Sequence, residues 1–166
     1  TVELDMMIGD IIAELEANGE LDNTLFAIFP DHYPYMMDGN IYADYIGIES
    51  DDPEIHRQSL ILYATDMSGN VIHTPGATVD VTPTVLNMVY GDGNFEYFMG
   101  TDLFSTDDNF VIFSDLTVTN GTTFLNMNEE FTGVYVDPMV FENALEEMIV
   151  SIEMQKKVLQ TDYFTK

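Results

Sequence analysis

The sequence predicts an α/β fold, in which helices pack against a sheet, and three observations support this prediction. Two short apolar runs, residues 25–30 and 59–65, have the length and composition of buried strands. Apolar residues recur at helical spacing before the first run and again near the end of the chain. The resulting order is helix, strand, long loop, strand, helix, a small set of strands and a last helix. That order is typical of an α/β sandwich.

The first helix is predicted over residues 4–18, where Asn18-Gly19 supplies a stop signal. One stripe of this helix is apolar, and it contains Leu4, Met7, Ile8, Ile11, Ile12 and Leu15.

Both strand candidates are apolar on their two faces, as parallel central strands tend to be. Two such strands do not complete a doubly wound sheet, so we expect the chain to be a fragment of a larger domain. Residues 33–53 are too long and irregular for an ordinary connection, which predicts a functional or covering loop.

In the second half, a helix is predicted to begin near Thr82-Pro83 and to end around residues 91–94, because proline is tolerated in a first turn. Residues 109–115 predict a strand, and residues 117–127 predict one or two more at a sheet edge. Pro138 opens a last amphipathic helix, whose stripe contains Met139, Val140, Leu145, Met148, Ile149 and Ile152. No linker divides the chain, so residues 1–166 are predicted to form one domain.

Charge excludes several functions. Thirty acidic residues against four basic ones give a formal net charge of −26, so the chain lacks a basic face for nucleic acid. Adsorption to anionic lipid is disfavoured for the same reason.

The chain has no cysteine, which excludes disulfides and thiolate chemistry. It contains no apolar stretch of membrane-spanning length and no signal-peptide pattern, and it begins without methionine inside a predicted helix, which suggests a longer parent.

Asp31 and His32 are the candidate metal ligands. They directly follow the first apolar run, and open α/β sheets bind ligands at the carboxyl ends of their strands. A carboxylate oxygen with an imidazole nitrogen suits Mn²⁺ or Zn²⁺. The alternative is a strand-end turn with a half-exposed imidazole. His56 and His73 are interpreted as surface and structural residues.

Three Asp-Gly-Asn or similar stretches, at residues 38–40, 66–70 and 92–94, resemble parts of calcium loops. None has the full alternating ligand pattern, so turns are the better interpretation.

Four ordered motifs resemble the lipoteichoic acid synthases and related phosphoglycerol transferases. Residues 21–35 (LDNTLFAIFPDHYPY) resemble the family segment that ends in Gly-Asp-His. Residues 75–88 (PGATVDVTPTVLNM) resemble its Asp-(Ile/Val)-x-Pro-Thr helix, and residues 99–105 (MGTDLFS) its Gly-x-Asp-Leu-Phe-Ser motif. Residues 111–115 (VIFSD) resemble the strand that follows.

This resemblance implies the carboxyl-terminal part of an alkaline-phosphatase/sulfatase-like α/β/α sandwich, with a small additional antiparallel sheet and a carboxyl-terminal helix. It implies an extracellular catalytic domain, tethered to the cell membrane by upstream helices, that uses phosphatidylglycerol or a glycerophosphate polymer as substrate. Asp31 and His32 correspond to two ligands of a Mn²⁺-type ion, with Zn²⁺ or Mg²⁺ as alternatives. No segment matches the family's Glu ligand, its Thr nucleophile or its substrate-binding residues, so we do not expect this chain alone to be a competent enzyme.

The sequence also departs from the family. Pro30 replaces the usual glycine before Asp-His, and the acidic loop 38–52 would repel an anionic glycerophosphate. Two alternatives therefore stay open: a non-catalytic acidic extracellular binding domain, and a fragment of a sulfatase or phosphoethanolamine transferase. A sheet edge left open by missing strands could also produce a homodimer.

Overall fold

A computed structural model describes residues 2–34, 36–91, 98–105, 109–115, 117–126 and 138–163. The chain divides into two compact units, residues 1–71 and residues 72–166. Each unit mixes helices with a small antiparallel sheet. The prediction that residues 1–166 form one domain stays a prediction.

The first unit begins with helix α1, Val2–Asn18, which confirms the predicted helix. Gly19 ends it with a positive φ of 72°, the left-handed conformation that favours glycine. The predicted apolar stripe is only half covered: Ile8, Ile12 and Leu15 are half-buried, whereas Leu4, Met7 and Ile11 are exposed.

Strands β1, Phe26–Ile28, and β2, Ile61–Tyr63, lie at the two predicted positions. They pair antiparallel, with Phe26 opposite Tyr63 and Ile28 opposite Ile61. The expectation of parallel, fully buried strands is therefore wrong. Ile61 and Tyr63 stay 55% and 42% exposed, because within the described residues the sheet has two strands only. Apolar composition predicts a strand but carries no information about its direction.

The segment between these strands is more ordered than predicted. It contains helix α2, Gly39–Ile46, and a 3₁₀ turn, Pro53–His56. The Asp38 carboxylate accepts the Asn40 N–H at 2.9 Å at the start of α2, and Gly47 ends the helix in the left-handed conformation. A preceding 3₁₀ turn, Leu21–Asn23, leads from α1 into β1.

Helix α3, Thr78–Tyr90, opens the second unit and begins four residues before the predicted start. Pro83 lies inside the helix instead of in its first turn. The earlier start is stabilised by Asp80, whose carboxylate accepts the Ala77 N–H at 2.7 Å. The helix ends at Gly91 as predicted; residues 92–94 lie outside the described residues.

Strands β3, Val111–Ile112, β4, Thr117–Thr119, and β5, Phe124–Asn126, form an antiparallel sheet in the order β3-β4-β5. They confirm the strands predicted in this region. Val118 on the central strand is 2% exposed, so it anchors the small core.

Helix α4, Pro138–Thr161, confirms the last predicted helix. Within the part of the chain that the structure describes, every helix is too short or too polar to cross a membrane.

Candidate functional site

Asp31 and His32 lie just beyond the end of β1, separated from it by Phe29 and Pro30. Both side chains are accessible: Asp31 is 87% exposed and His32 is 45% exposed. The structure thus places the two predicted ligands beside each other at the surface of the first unit.

The His32 ring is held by the neighbouring backbone. Its Nδ1 lies 2.7 Å from the Tyr33 carbonyl oxygen. Because a carbonyl only accepts, Nδ1 carries the proton in this hydrogen bond, and the neutral ring then has its lone pair on Nε2. That Nε2 lies 3.5 Å from Asp31 Oδ1.

The spacing of these two atoms fits a shared cation. Two donors that each lie about 2.1 Å from a tetrahedral ion are about 3.4 Å apart, close to the observed 3.5 Å. An oxygen and a nitrogen donor suit Zn²⁺ or Mn²⁺. However, the described residues contain no cluster of three or more His, Asp or Glu that could hold a metal. The pair therefore fits as part of a ligand set and not as a whole one.

His56 contacts Tyr33, the residue that follows His32. The sequence did not predict this contact. The two rings meet edge to face, with centroids 4.6 Å apart and planes at 87°. His56 ends the 3₁₀ turn Pro53–His56, 23 positions after Tyr33. No local pattern signals a contact over that distance.

Polar side chains in the motifs at residues 75–88 and 99–105 form a second group, and their hydrogen bonds hold these two segments together. The Asp80 carboxylate is 4% exposed and accepts the Thr101 N–H through Oδ1 at 2.7 Å. Its Oδ2 accepts the Ala77 N–H at 2.7 Å and the Asn109 side-chain amide at 3.4 Å. One buried acid thus joins the start of α3 to residues 98–105 and to the segment before β3.

The next two turns of α3 add further links to the same segment. The Thr84 hydroxyl, fully buried, donates to the Asp80 carbonyl at 2.6 Å and accepts the Leu103 N–H at 3.0 Å. The Asn87 amide donates to Asp102 Oδ2 at 2.6 Å, and Asp102 Oδ1 accepts the Phe104 N–H at 3.0 Å. We call these contacts the α3 clasp.

The α3 clasp explains two of the four sequence motifs. Residues 80–84 and residues 100–104 are hydrogen-bonded to each other. Among the described residues, every buried side-chain N or O atom has a hydrogen-bond partner. Thr84 links α3 to the loop that contains Leu103. In the first unit, the Thr65 hydroxyl donates to the Asp22 carboxylate at 2.8 Å and links the residues after β2 to the 3₁₀ turn Leu21–Asn23.

The structure also describes the other candidates from the sequence, each within its own segment. His73 is exposed in the loop before α3. Asp38 caps α2, and Asn70 accepts the Val71 N–H at 2.9 Å. Both contacts agree with turns and caps rather than calcium loops. Tyr35 lies outside the described residues.

Comparison with known proteins agrees with the motifs. The family model described as Sulfatase matches residues 2–91, which is more than half of the 166 residues. Lipoteichoic acid synthases of Staphylococcus aureus strains USA300, NCTC 8325 / PS 47 and MRSA252 are each 28% identical over 173 residues, covering 97% of this chain and 26% of the relative. The chain therefore spans about a quarter of the length of these curated relatives.

The family match covers α1, β1, the Asp31-His32 pair, β2 and α3. The similarity to lipoteichoic acid synthases extends over nearly all of the chain, including the segments that carry the four motifs. On this basis the chain belongs to the sulfatase family, as a member similar to lipoteichoic acid synthases, and has the family's alkaline-phosphatase-like α/β fold.

Proposed function

We propose that this chain contributes Asp31 and His32 as two ligands of a divalent cation in a metal-dependent phosphoglycerol transferase. The observation that carries the proposal is the 3.5 Å separation of His32 Nε2 and Asp31 Oδ1. Mn²⁺ is the expected ion. Zn²⁺ would accept the same oxygen and nitrogen donors in a tetrahedral site, and Mg²⁺ would bind mainly through the Asp31 oxygen.

The proposed substrate class is phosphatidylglycerol or a glycerophosphate polymer, used in the synthesis of an envelope polymer. Similarity to lipoteichoic acid synthases over nearly the whole chain supports this choice. The proposed location is the extracellular face of a cell membrane, with tethering helices elsewhere in the parent protein. We propose that the chain is the carboxyl-terminal part of that protein's catalytic domain.

The number of ligands indicates which part of the metal site this chain would supply. Two ligands do not complete a coordination sphere, and the described residues offer no third. We therefore propose that the further ligands and the attacking hydroxyl come from outside the described residues, and that the hydroxyl belongs to the parent protein. A bound divalent ion would neutralise phosphoryl charge and lower the pKa of a hydroxyl ligand. Asp31 supplies a carboxylate that offsets the ion's charge, and His32 supplies a neutral donor.

Metal binding tests the proposal on the chain itself. Mn²⁺ is titrated into the full 166-residue chain, and the loss of the free-ion electron paramagnetic resonance signal is followed. We expect Asp31→Asn and His32→Gln each to weaken the site that the wild type shows. Asp38→Asn is the matched control, since asparagine also caps a helix. Equal Mn²⁺ binding by the wild type and both site variants would contradict the proposal.

A sulfate-ester hydrolase is the second candidate, because the family model that matches is the Sulfatase model. The full-length protein that contains this chain distinguishes the two. Release of diacylglycerol from phosphatidylglycerol would support the transferase, and turnover of an aryl sulfate would support the hydrolase. Turnover of neither by a folded, metal-loaded parent would favour the non-catalytic acidic binding domain.

A further inference from the structure

We propose that His56 is a positioning residue that sets the tautomer of His32 through Tyr33. The inference rests on the proposed function, in which His32 binds the cation through Nε2. It assigns a role to a histidine that is remote in sequence from the metal-ligand pair and is not itself a ligand.

The first link is the turn that holds His56. The Asp52 carboxylate accepts the Glu54 N–H at 2.9 Å and caps the 3₁₀ turn Pro53–His56. Ile55 is 9% exposed, so the turn is anchored by a buried side chain directly before His56. Glu54 also pairs with Arg57 at 2.9 Å across the turn. These contacts fix the backbone from which the His56 ring projects.

The second link is the ring contact. The His56 and Tyr33 rings lie edge to face with centroids 4.6 Å apart, a geometry that stabilises an aromatic pair beyond its buried area. His56 is exposed and Tyr33 is half-buried. The pair therefore restrains the Tyr33 residue in a segment without regular secondary structure.

The third link is the Tyr33 carbonyl, which accepts the His32 Nδ1–H at 2.7 Å. Metal-binding histidines generally donate the second ring N–H to a carbonyl or a carboxylate, which fixes the tautomer and the ring orientation. Here the carbonyl belongs to the residue that His56 restrains. The His56 ring thus favours the Nδ1–H form of His32 and leaves the Nε2 lone pair directed at the Asp31 side.

The test measures the tautomer without any metal. Long-range ¹⁵N–¹H correlation spectra of the full chain are recorded at about pH 8.5, where an ordinary imidazole is neutral. The chain has three histidines, and His73→Ala assigns one ring and serves as the matched control. We expect His32 to be in the Nδ1–H form in the wild type and in His73→Ala. In His56→Ala we expect a mixture with the Nε2–H form, whereas His56→Phe keeps an edge-to-face ring and restores the wild-type pattern.

Mn²⁺ affinity is then measured for the same four proteins. We expect His56→Ala to lose up to about tenfold in affinity, because the variant removes only the ring contact and keeps the Tyr33 carbonyl that accepts from His32. His56→Phe is expected to retain the wild-type affinity.

The two proposals fail in different ways. An unchanged His32 tautomer in His56→Ala would overturn the role of His56, whatever the metal affinity. A shifted His32 tautomer in His56→Ala, together with a wild-type chain that binds no Mn²⁺, would confirm the positioning role of His56 and count against the metal site. If Phe fails to rescue the tautomer, the ring contact is not the cause and the inference is wrong.

Discussion

Gly100 packs directly against the carbonyl group of Val79, the helical acceptor to which Pro83 has no N–H to donate. A methyl group in place of the Gly100 hydrogen would overlap that carbonyl and lie 2.6 Å from the Asp80 nitrogen. Pro83 and Gly100 are therefore matched across the α3 clasp: the proline opens a gap in the helical ladder, and the glycine allows the neighbouring loop to approach it.

We therefore predict that Gly100→Ala destabilises the chain by about 1–3 kcal/mol or more, the usual cost of overpacking a rigid contact. Urea unfolding followed by circular dichroism measures the change. Gly9→Ala is the matched control, because a methyl group at Gly9 meets nothing within 4 Å and replaces glycine inside α1. That control should gain about 0.5–1 kcal/mol. Equal effects of the two variants would contradict the packing.

Thr84→Val is predicted to cost about 1–3 kcal/mol, because it removes the acceptor of the part-buried Leu103 N–H while keeping the side-chain shape. Thr82→Val, at an exposed position of the same helix, should change the free energy of unfolding by less than about 0.5 kcal/mol. Urea midpoints for both variants provide the comparison. A neutral Thr84→Val would show that Leu103 finds another partner.

Asn87 and Asp102 should be energetically coupled. Their side chains meet at 2.6 Å, and Asp102 is 6% exposed, so removing the amide leaves a buried carboxylate with fewer donors. A double-mutant cycle with Asn87→Ala and Asp102→Ala is expected to give a coupling energy of about 0.5–3 kcal/mol. Additive effects would mean that the contact contributes nothing specific to stability.

Asp31→Asn and His32→Gln should barely affect stability, although we expect them to affect metal binding. Asp31 is 87% exposed and His32 is 45% exposed, and exposed substitutions usually change stability by less than about 0.5 kcal/mol. Thermal unfolding without metal gives the measurement. A loss of several degrees would show that the pair stabilises the fold, which is the alternative to a ligand role.

Salt should stabilise the chain. With thirty acids and four bases, folding brings like charges together, and screening reduces their repulsion. We predict that the melting temperature rises as NaCl is added. MgCl₂ at the same ionic strength separates screening from specific binding: an equal rise indicates screening alone, and an additional rise indicates bound cations. A melting temperature that falls with NaCl would refute this account.

Local signals predicted much of the fold. Helical spacing and Asn18-Gly19 located α1, and the glycine at position 91 located the end of α3. Helix α2 also has local signals at its two ends, the Asp38 cap at its start and Gly47 at its end. The sequence therefore contained the information for this helix, although the segment was predicted to be a loop. The antiparallel pairing of β1 and β2 could not be predicted, because it depends on a contact between distant segments that composition does not encode. The early start of α3 had a local signal, the Asp80 carboxylate three residues after Ala77, which the interpretation based on Pro83 missed.

The same limit applies to the candidate site. Asp31 and His32 are neighbours in sequence and could be predicted from their position after an apolar run. The contact of His56 with Tyr33 arises only when the turn at 53–56 is placed beside the end of β1. His56 carries no signal except its residue type, so the sequence predicts only a surface residue; its exposure confirms that prediction, and its contact with Tyr33 is the part that the sequence does not show.

The α3 clasp also determines how slowly one loop exchanges its amide hydrogens. Residues 98–105 contain no helix or strand in the structure, yet the Thr101 and Leu103 N–H groups donate to acceptors on buried residues of α3. Such hydrogens exchange only when the contact with the helix opens. This irregular segment should therefore be protected to the same degree as the middle of α3, and it should lose its protection together with that helix in a single opening event.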